Sequence, residues 1–234
     1  MRVAWFGDVI ELVAYPMLSF DHLIRKVRYG TPVVIVSGLP RSGTSMAMKM
    51  LEAGGIAVLT DGIRSADISN PKGYYEFESV KQLDKNGDTA WLRGARGKAV
   101  KIISFLLTYL PETHNYSVVF MQRDLEEVIA SQNKMLVERG EAPDGAGGPG
   151  ENDARMLALY RQHLDKVMRF LAHRRCFRLL KVNYGDAMAH PAVEARRISD
   201  FLGGRLDVDR MAAVSDPALY RNRAPDPGGR NRAH

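Results

Sequence analysis

The stretch Pro32–Leu51, PVVIVSGLPRSGTSMAMKML, decides the fold of this chain. It predicts a buried β-strand over Val33–Val36, a glycine-bounded loop from Gly38 to Gly43, and a helix that begins at Thr44. Glycine lets the loop backbone wrap closely, and the free amides at the start of a helix point towards an anion. The stretch therefore predicts a phosphate-binding loop of the P-loop type.

One position of this loop departs from the nucleoside-triphosphate motif. The motif G-x-x-x-x-G-K-[ST] needs a lysine after the second glycine, to reach the β- and γ-phosphates. Here Thr44 stands at that position, and the strong cation is Arg41. A phosphate-bearing ligand other than ATP or GTP is therefore expected. A strand–turn–helix whose glycines serve turn geometry alone is the alternative.

Apolar runs and helical periodicity alternate along the rest of the chain. Further strands are predicted at 56–59, 98–103, 117–121 and 177–182, and helices at 44–53, 75–83, 104–110, 123–137, from 152 or 153 onwards, and 192–202. This alternation predicts an α/β, single-domain, P-loop-like three-layer fold. Its sheet is mostly parallel with about five strands, helices cover both faces, and ligands bind at the C-terminal strand ends.

The length of 234 residues fits one domain, with a core at about 32–204. An N-terminal helical segment at 1–30 precedes the core, and its role at a dimer interface or a membrane surface is left open. A Gly/Pro-rich flexible loop is predicted at 139–150, and a more specific interpretation is that it forms an active-site lid. A basic tail at 215–234 ends the chain. The lone Cys176 excludes an intrachain disulfide and fits a reducing, cytoplasmic location.

The charge distribution disfavours nucleic acid as the partner. The formal net charge is +6, and residues 221–234 carry four arginines and one aspartate, so half of that charge lies in the tail. The remainder does not suit the fold-wide basic surface of a nucleic-acid binder. No transmembrane stretch is predicted. The six histidines show no metal-ligand spacing, so no metal site is expected and they are interpreted as structural or surface residues.

A second cationic feature follows the predicted strand at 117–121. A nucleotidase needs an aspartate near this point to hold Mg²⁺, whereas this chain has Gln122 and Arg123. Ser131 follows eight residues later, about two helical turns away. An arginine and a hydroxyl suit a phosphate group. The alternative is a surface Arg123 paired with Glu126 or Glu127.

Three blocks of the sequence resemble the sulfotransferases that use 3′-phosphoadenosine 5′-phosphosulfate (PAPS). LPRSGTS resembles the 5′-phosphosulfate loop in its arginine form, FMQRDLEEVIAS resembles the 3′-phosphate block, and VNYGDAMAHPAVEARRISDFLG resembles the adenine-side stretch with its following helix. The resemblance spans about residues 32–204. It implies that the 3′-phosphate is shared by Arg123 and Ser131, that the adenine lies beside Tyr184, and that the 5′ end is held by Pro40, Arg41, Ser42, Gly43, Thr44 and Ser45.

The resemblance also implies a reaction: transfer of a sulfuryl group from PAPS to an acceptor hydroxyl or amine without Mg²⁺, leaving 3′,5′-adenosine bisphosphate. Arg41 is the expected stabiliser of charge on the bridging oxygen. Many members use a histidine after the third strand as the base, but the matching stretch here, Lys101–Ile103, lacks one. The carboxylate of Asp61 is the expected substitute, with Glu76 and Glu78 as rivals. The acceptor, a small molecule or a carbohydrate, cannot be deduced from the sequence.

Two other functions stay open at this stage. A P-loop small-molecule kinase or other nucleotide enzyme would require ATP and Mg²⁺. A non-catalytic interaction module would bind the adenosine bisphosphate without transferring any group. Homodimerisation is compatible with either function and with the sulfotransferase reading.

Overall fold

The computed structural model describes residues 20–61, 75–85, 87–141 and 151–215. These residues build a five-stranded sheet in the order β2-β3-β1-β4-β5, in which every neighbouring pair is parallel. The strands are β1 (Val33–Gly38), β2 (Val58–Leu59), β3 (Ala99–Lys101), β4 (Tyr116–Gln122) and β5 (Phe177–Asn183). This architecture confirms the predicted fold class.

Helices connect the strands and cover both faces of the sheet. They are α1 (Phe20–Tyr29), α2 (Thr44–Ala53), α3 (Glu78–Lys81), α4 (Leu125–Glu138), α5 (Glu151–His173), α6 (Tyr184–Ala189), α7 (Pro191–Leu202) and α8 (Val208–Ala212). Two 3-10 helices, Ala90–Arg93 and Ser104–Tyr109, precede and follow β3. None of the helices in the described ranges is both long and apolar enough to cross a membrane.

The two faces of β1 enter two different hydrophobic layers. Val34 and Val36 pack with α2, α7 and α8, whereas Val33 and Ile35 pack with the second 3-10 helix and α5. All six residues of β1 are buried, as expected for a strand in a parallel sheet with both faces covered. The strand order reverses beside β1, because β3 lies on one side and β4 on the other. Open α/β sheets bind ligands at such a point.

The N-terminal helix α1 is attached to the opposite, N-terminal edge of the sheet by polar contacts. Arg25 donates to Asn115 Oδ1 over 3.0 Å and to the carbonyl of His114, and the amide of Asn115 returns hydrogen bonds to the carbonyls of Arg25 and Gly30. Asn115 directly precedes β4, so this anchor joins the helix to a central strand.

Several predicted boundaries differ from the structure. The strand predicted at 56–59 is only two residues long, the helix predicted at 75–83 is limited to 78–81, and α5 begins at Glu151. Tyr75 has φ of 50°, so the backbone before α3 is not helical. The helix predicted at 104–110 is a 3-10 helix. Residues 1–19, 142–150 and 216–234, which hold most of the predicted terminal segments and loop, lie outside the described residues.

Candidate anion-binding site

The loop after β1 has a backbone that requires glycine at both of its ends. Gly38 has φ of 149°, and a Cβ there would lie 2.6 Å from the carbonyl oxygen of Met121. Gly43 has φ of 97°, and a Cβ there would lie 2.4 Å from Cδ2 of Tyr184. Between them Arg41 also adopts a positive φ, 70°, which is uncommon outside glycine. The loop is therefore wound tightly against β4 and α6.

Helix α2 starts from this loop with its amide groups at the anion-facing end. Its first helical hydrogen bond joins the amide of Ala47 to the carbonyl of Gly43 over 3.1 Å, so the amides of Thr44, Ser45 and Met46 precede the helical ladder. The N-terminal end of a helix carries a partial positive charge that favours anions. Thr44 and Ser45 thus stand where the predicted 5′-phosphate contacts would be made.

The two arginines that the sequence singled out meet at this loop. The Nε of Arg41 donates to the Oγ of Ser131 in α4 over 3.0 Å. The Nη1 of Arg123 donates to the backbone carbonyl of Arg41 over 3.2 Å. The sequence suggested two separate cationic sites, whereas the structure makes them continuous. We refer to Arg41, Arg123 and Ser131 as the arginine cluster.

Arg123 is held in place by a buried carboxylate. Its Nε donates to Oε2 of Glu127 over 2.8 Å, and the two side chains are only 9% and 6% exposed. The alternative interpretation of Arg123 was therefore correct about the pairing with Glu127 and wrong about its surface location. Asp124 caps α4 by accepting from the amides of Glu126 and Glu127, which fixes the helix that carries Ser131.

Tyr184 forms the floor of the cluster. The guanidinium of Arg123 lies 4.5 Å from the centroid of the Tyr184 ring, a cation–π distance, and the ring edge packs against Gly43. Burial raises the pKa of the Tyr184 hydroxyl, against an opposing effect of Arg123. Asn183 caps α6 by accepting from the amides of Gly185 and Asp186, which fixes the orientation of Tyr184 at the helix start. Its predicted contact with adenine stays a prediction.

The remaining loop residues differ in what they can offer a ligand. Pro40 is exposed. Ser42 is 1% exposed, and both its hydroxyl and its amide donate to the carbonyl of Leu39, over 2.7 and 3.2 Å. Ser42 therefore closes the loop on itself, so its predicted contact with a ligand would need those hydrogen bonds to rearrange.

The two candidate bases lie together on the segment that follows β2. The amide of Asp61 donates to the carbonyl of Glu76, and Oδ2 of Asp61 accepts from the amide of Glu78 over 2.6 Å. The carboxylate of Glu76 pairs with Lys81 at 3.0 Å. Both carboxylates thus have structural partners, and their role as a base stays a prediction. In the described part of the chain no group of three or more His, Cys, Asp or Glu could hold a metal ion.

Sequence reasoning passed over one polar residue next to the loop. The hydroxyl of Ser37 is fully buried at the end of β1 and has no hydrogen-bond partner. Such atoms are uncommon, because burying an unpaired polar group costs free energy. Its position in the alternation of β1 places it on the face that packs with α5. A serine at the end of an otherwise apolar run was the signal in the sequence.

Fold and site together define an α/β protein with a P-loop-like turn and an arginine cluster at the C-terminal edge of a parallel sheet. The solved structures that it resembles include the sulfotransferase domain from the curacin biosynthetic pathway. That match has 16% sequence identity and a TM-score of 0.45, and it covers 82% of this chain and 87% of that one. No protein-family model and no curated protein matches the sequence.

Proposed function

We propose that this chain is a sulfotransferase that moves a sulfuryl group from PAPS to an acceptor hydroxyl or amine. The observation that carries the proposal is the convergence of Arg41, Arg123 and Ser131. They come from two sequence blocks that resemble separate parts of a PAPS site, and they meet within hydrogen-bonding distance beside the start of α2.

The donor set fits a doubly phosphorylated nucleoside. Two guanidinium groups, a serine hydroxyl and a helix N-terminus all favour anionic oxygen. The carboxylate of Glu127, next to the cluster, is paired with the guanidinium of Arg123, which offsets its charge. In this proposal Arg123 and Ser131 hold the 3′-phosphate, and residues 40–45 hold the 5′ end.

PAPS supplies an activated sulfuryl group joined to phosphate through a bridging oxygen. In this proposal Arg41 stabilises negative charge that develops on such an oxygen, which is the kind of electrostatic stabilisation that dominates many enzymes. Asp61 or Glu76 accepts the proton of the acceptor hydroxyl. Each carboxylate has a partner in the structure, the amide of Glu78 for Asp61 and the ammonium group of Lys81 for Glu76, and retains further lone pairs for that proton.

Calorimetric titration tests the proposal directly. The wild type is titrated with 3′,5′-adenosine bisphosphate, with 5′-AMP and with ATP–Mg²⁺, and then Arg123→Ala is compared with Arg210→Ala, which removes a 78%-exposed arginine. Loss of a charged hydrogen bond should weaken bisphosphate binding in Arg123→Ala by roughly 1.5–3 kcal/mol, about 10- to 150-fold in Kd. The Arg210 variant should bind as the wild type does.

Two results would overturn the proposal. Binding of ATP–Mg²⁺ in preference to the bisphosphate would favour a kinase-like enzyme. Tight binding of the bisphosphate with no sulfuryl transfer from PAPS to any of a panel of alcohols, phenols, sugars and amines would favour a nucleotide-binding interaction module.

A further inference from the structure

A concavity beside the arginine cluster has the size of a small-molecule site. It lies between the 3-10 helix Ser104–Tyr109 and the middle of α5, and its volume is about 350 Å³. Sites for small molecules occupy roughly 300–1,000 Å³. Its walls are mostly apolar, and they include Phe105, Met156, Leu159, Tyr160, His163 and Lys166.

The position of the concavity along α5 sets its height relative to the sheet. Val167 and Leu171 pack in the layer beneath the sheet strands, whereas Tyr160 packs against Leu39, the loop residue that directly follows β1. A helix rises about 1.5 Å per residue, so the turn around His163 lies level with the C-terminal edge of the sheet. The concavity therefore lies at the level of the sheet edge that carries the phosphate-binding loop.

One wall of the concavity is a pair of stacked flat rings. The rings of Phe105 and His163 are parallel within 13° and their centroids are 3.8 Å apart. The buried hydroxyl of Ser104 lies 2.8 Å from Nε2 of His163 and fixes the orientation of the imidazole. Phe105 and Leu159 are 42% and 50% exposed, so both offer apolar surface to the concavity. A flat, apolar ligand would cover both.

The charge among the residues that line the concavity is positive. Lys166 contributes an ammonium group, and the described lining residues include no carboxylate. Burial, with a smaller contribution from Lys166, lowers the pKa of His163, so the imidazole is neutral near pH 7. A cation gains nothing here, whereas a neutral hydroxyl or a phenolate fits. Gln162 also lines the concavity, but most of the exposed wall surface is apolar, which disfavours a carbohydrate.

We infer that this concavity binds the acceptor, and that the acceptor is a small planar aromatic compound carrying a hydroxyl group. That the bound compound is an acceptor rests on the proposed sulfuryl transfer. That it is a planar aromatic compound rests on the stacked rings of Phe105 and His163. The aromatic part lies against Phe105 and Leu159, and the hydroxyl is directed towards the arginine cluster.

A short chain of contacts joins the concavity to the arginine cluster. The hydroxyl of Tyr160 donates to Oε1 of Gln132 over 2.7 Å. Gln132 neighbours Ser131, whose hydroxyl accepts from Arg41. Tyr160, in the wall of the concavity, is therefore linked through Gln132 to Ser131, which is assigned to the cofactor.

The test uses 2-naphthol as the probe and its intrinsic fluorescence as the signal. Leu159→Trp fills the concavity from an exposed position, so the fold should tolerate it, and Met156→Trp is the second filling variant. Val193→Trp is the control, because Val193 is 58% exposed on α7, which packs in the other layer. Each protein is titrated with 2-naphthol and, separately, with 3′,5′-adenosine bisphosphate.

We expect wild type and Val193→Trp to bind 2-naphthol equally and to transfer a sulfuryl group to it. Both filling variants should lose at least tenfold in 2-naphthol affinity while the bisphosphate Kd stays unchanged. Unaltered 2-naphthol affinity in both filling variants would overturn the inference, as would competition by N-acetylglucosamine. If 2-naphthol binds in the concavity but wild type does not bind the bisphosphate, the proposed function fails and the acceptor assignment fails with it, whereas the aromatic site stands.

Discussion

Arg41 and Ser131 are ninety positions apart in the sequence, and the guanidinium of one donates to the hydroxyl of the other over 3.0 Å. A neutral hydroxyl is a weaker acceptor for an arginine than an anionic oxygen is. The contact therefore orients Arg41 across the loop. A phosphate or sulfuryl oxygen can replace the Ser131 hydroxyl as its acceptor. It also couples the loop after β1 to α4.

This coupling can be measured with a double-mutant cycle on Arg41→Ala and Ser131→Ala. Arg41→Ala should weaken binding of 3′,5′-adenosine bisphosphate by roughly 1.5–3 kcal/mol, and Ser131→Ala by about 0.5–1.5 kcal/mol. The two losses should not add, because the residues share a contact. Calorimetry with 5′-AMP, which lacks the 3′-phosphate, isolates the 5′ end, where Ser131→Ala should cost less affinity than it does with the bisphosphate. Strictly additive losses would argue against the coupling.

The buried carboxylate of Glu127 is predicted to increase the stability of the protein and to lower its affinity for anions. In Glu127→Gln the amide oxygen can still accept from Arg123, but the compensating charge is gone. We expect the free energy of unfolding to fall by roughly 1–3 kcal/mol, because a buried charge loses its ionic partner. Bisphosphate should bind more tightly, because a negative charge next to the phosphate is removed. Denaturant unfolding and calorimetry measure the two effects, and weaker binding would mean that positioning of Arg123 outweighs charge.

Gly43 can be tested against a glycine with the same backbone angle. Gly43 and Gly55 both have φ of 97°, but a Cβ at Gly43 would meet Tyr184, whereas a Cβ at Gly55 would meet nothing within 4 Å. Gly55→Ala should therefore report backbone strain alone, roughly 1–2 kcal/mol in unfolding free energy. Gly43→Ala should cost more and should also weaken bisphosphate binding. Equal costs in the two variants, with binding intact, would contradict the packing seen at Tyr184.

The proton acceptor can be identified with Asp61→Asn and Glu76→Gln made separately. The variant that removes the base should lower kcat by about 10²- to 10⁴-fold with little change in bisphosphate affinity. Asp61→Asn keeps an acceptor for the amide of Glu78, so its free energy of unfolding should change little. Full turnover in both variants would exclude a carboxylate base at either position.

Acid should destabilise the protein in a predictable direction. Burial lowers the pKa of His163 and of His114 below the ordinary 6.5. As the pH falls through about 6.5, these histidines become protonated in the unfolded chain while they stay neutral in the folded chain. Their contribution to stability is therefore complete above that pH and decreases as the pH falls towards their folded-state pKa values. Urea unfolding at about pH 7.5 and about pH 5.5 measures this loss. His163→Gln should make the loss smaller, and an unchanged loss would mean that His163 does not contribute.

Periodicity predicted the fold because the strands of a parallel sheet are buried on both faces. The apolar runs of β1 and β4 are continuous, so they predict strands in the interior of such a sheet. The same logic failed for α3, whose start depends on the positive φ of Tyr75 and on the carboxylate of Asp61 capping from another segment. Neither is visible in the helical pattern of residues 75–83.

The candidate site was predicted in its parts and not in its connections. Glycine spacing indicated the loop, and the residues after β4 indicated Arg123. The contact between Arg41 and Ser131 depends on the left-handed backbone at Arg41 and on the direction of α4, which no local pattern specifies. His163 was interpreted with the other histidines as a structural or surface residue, because they show no metal-ligand spacing. Its contacts with Phe105 and Ser104, about sixty residues away in the sequence, follow from no local pattern.

The strand pairs of the sheet are unequal in length. β4 pairs with β5 over seven positions and with β1 over six, whereas β2 pairs with β3 over two. Amide hydrogen exchange should therefore be slowest around β1, β4 and β5 and fastest at the β2 margin. The residues proposed to hold the nucleotide are built on the slow half of the domain. Asp61 lies two residues after β2, so this candidate base stands on the less protected margin.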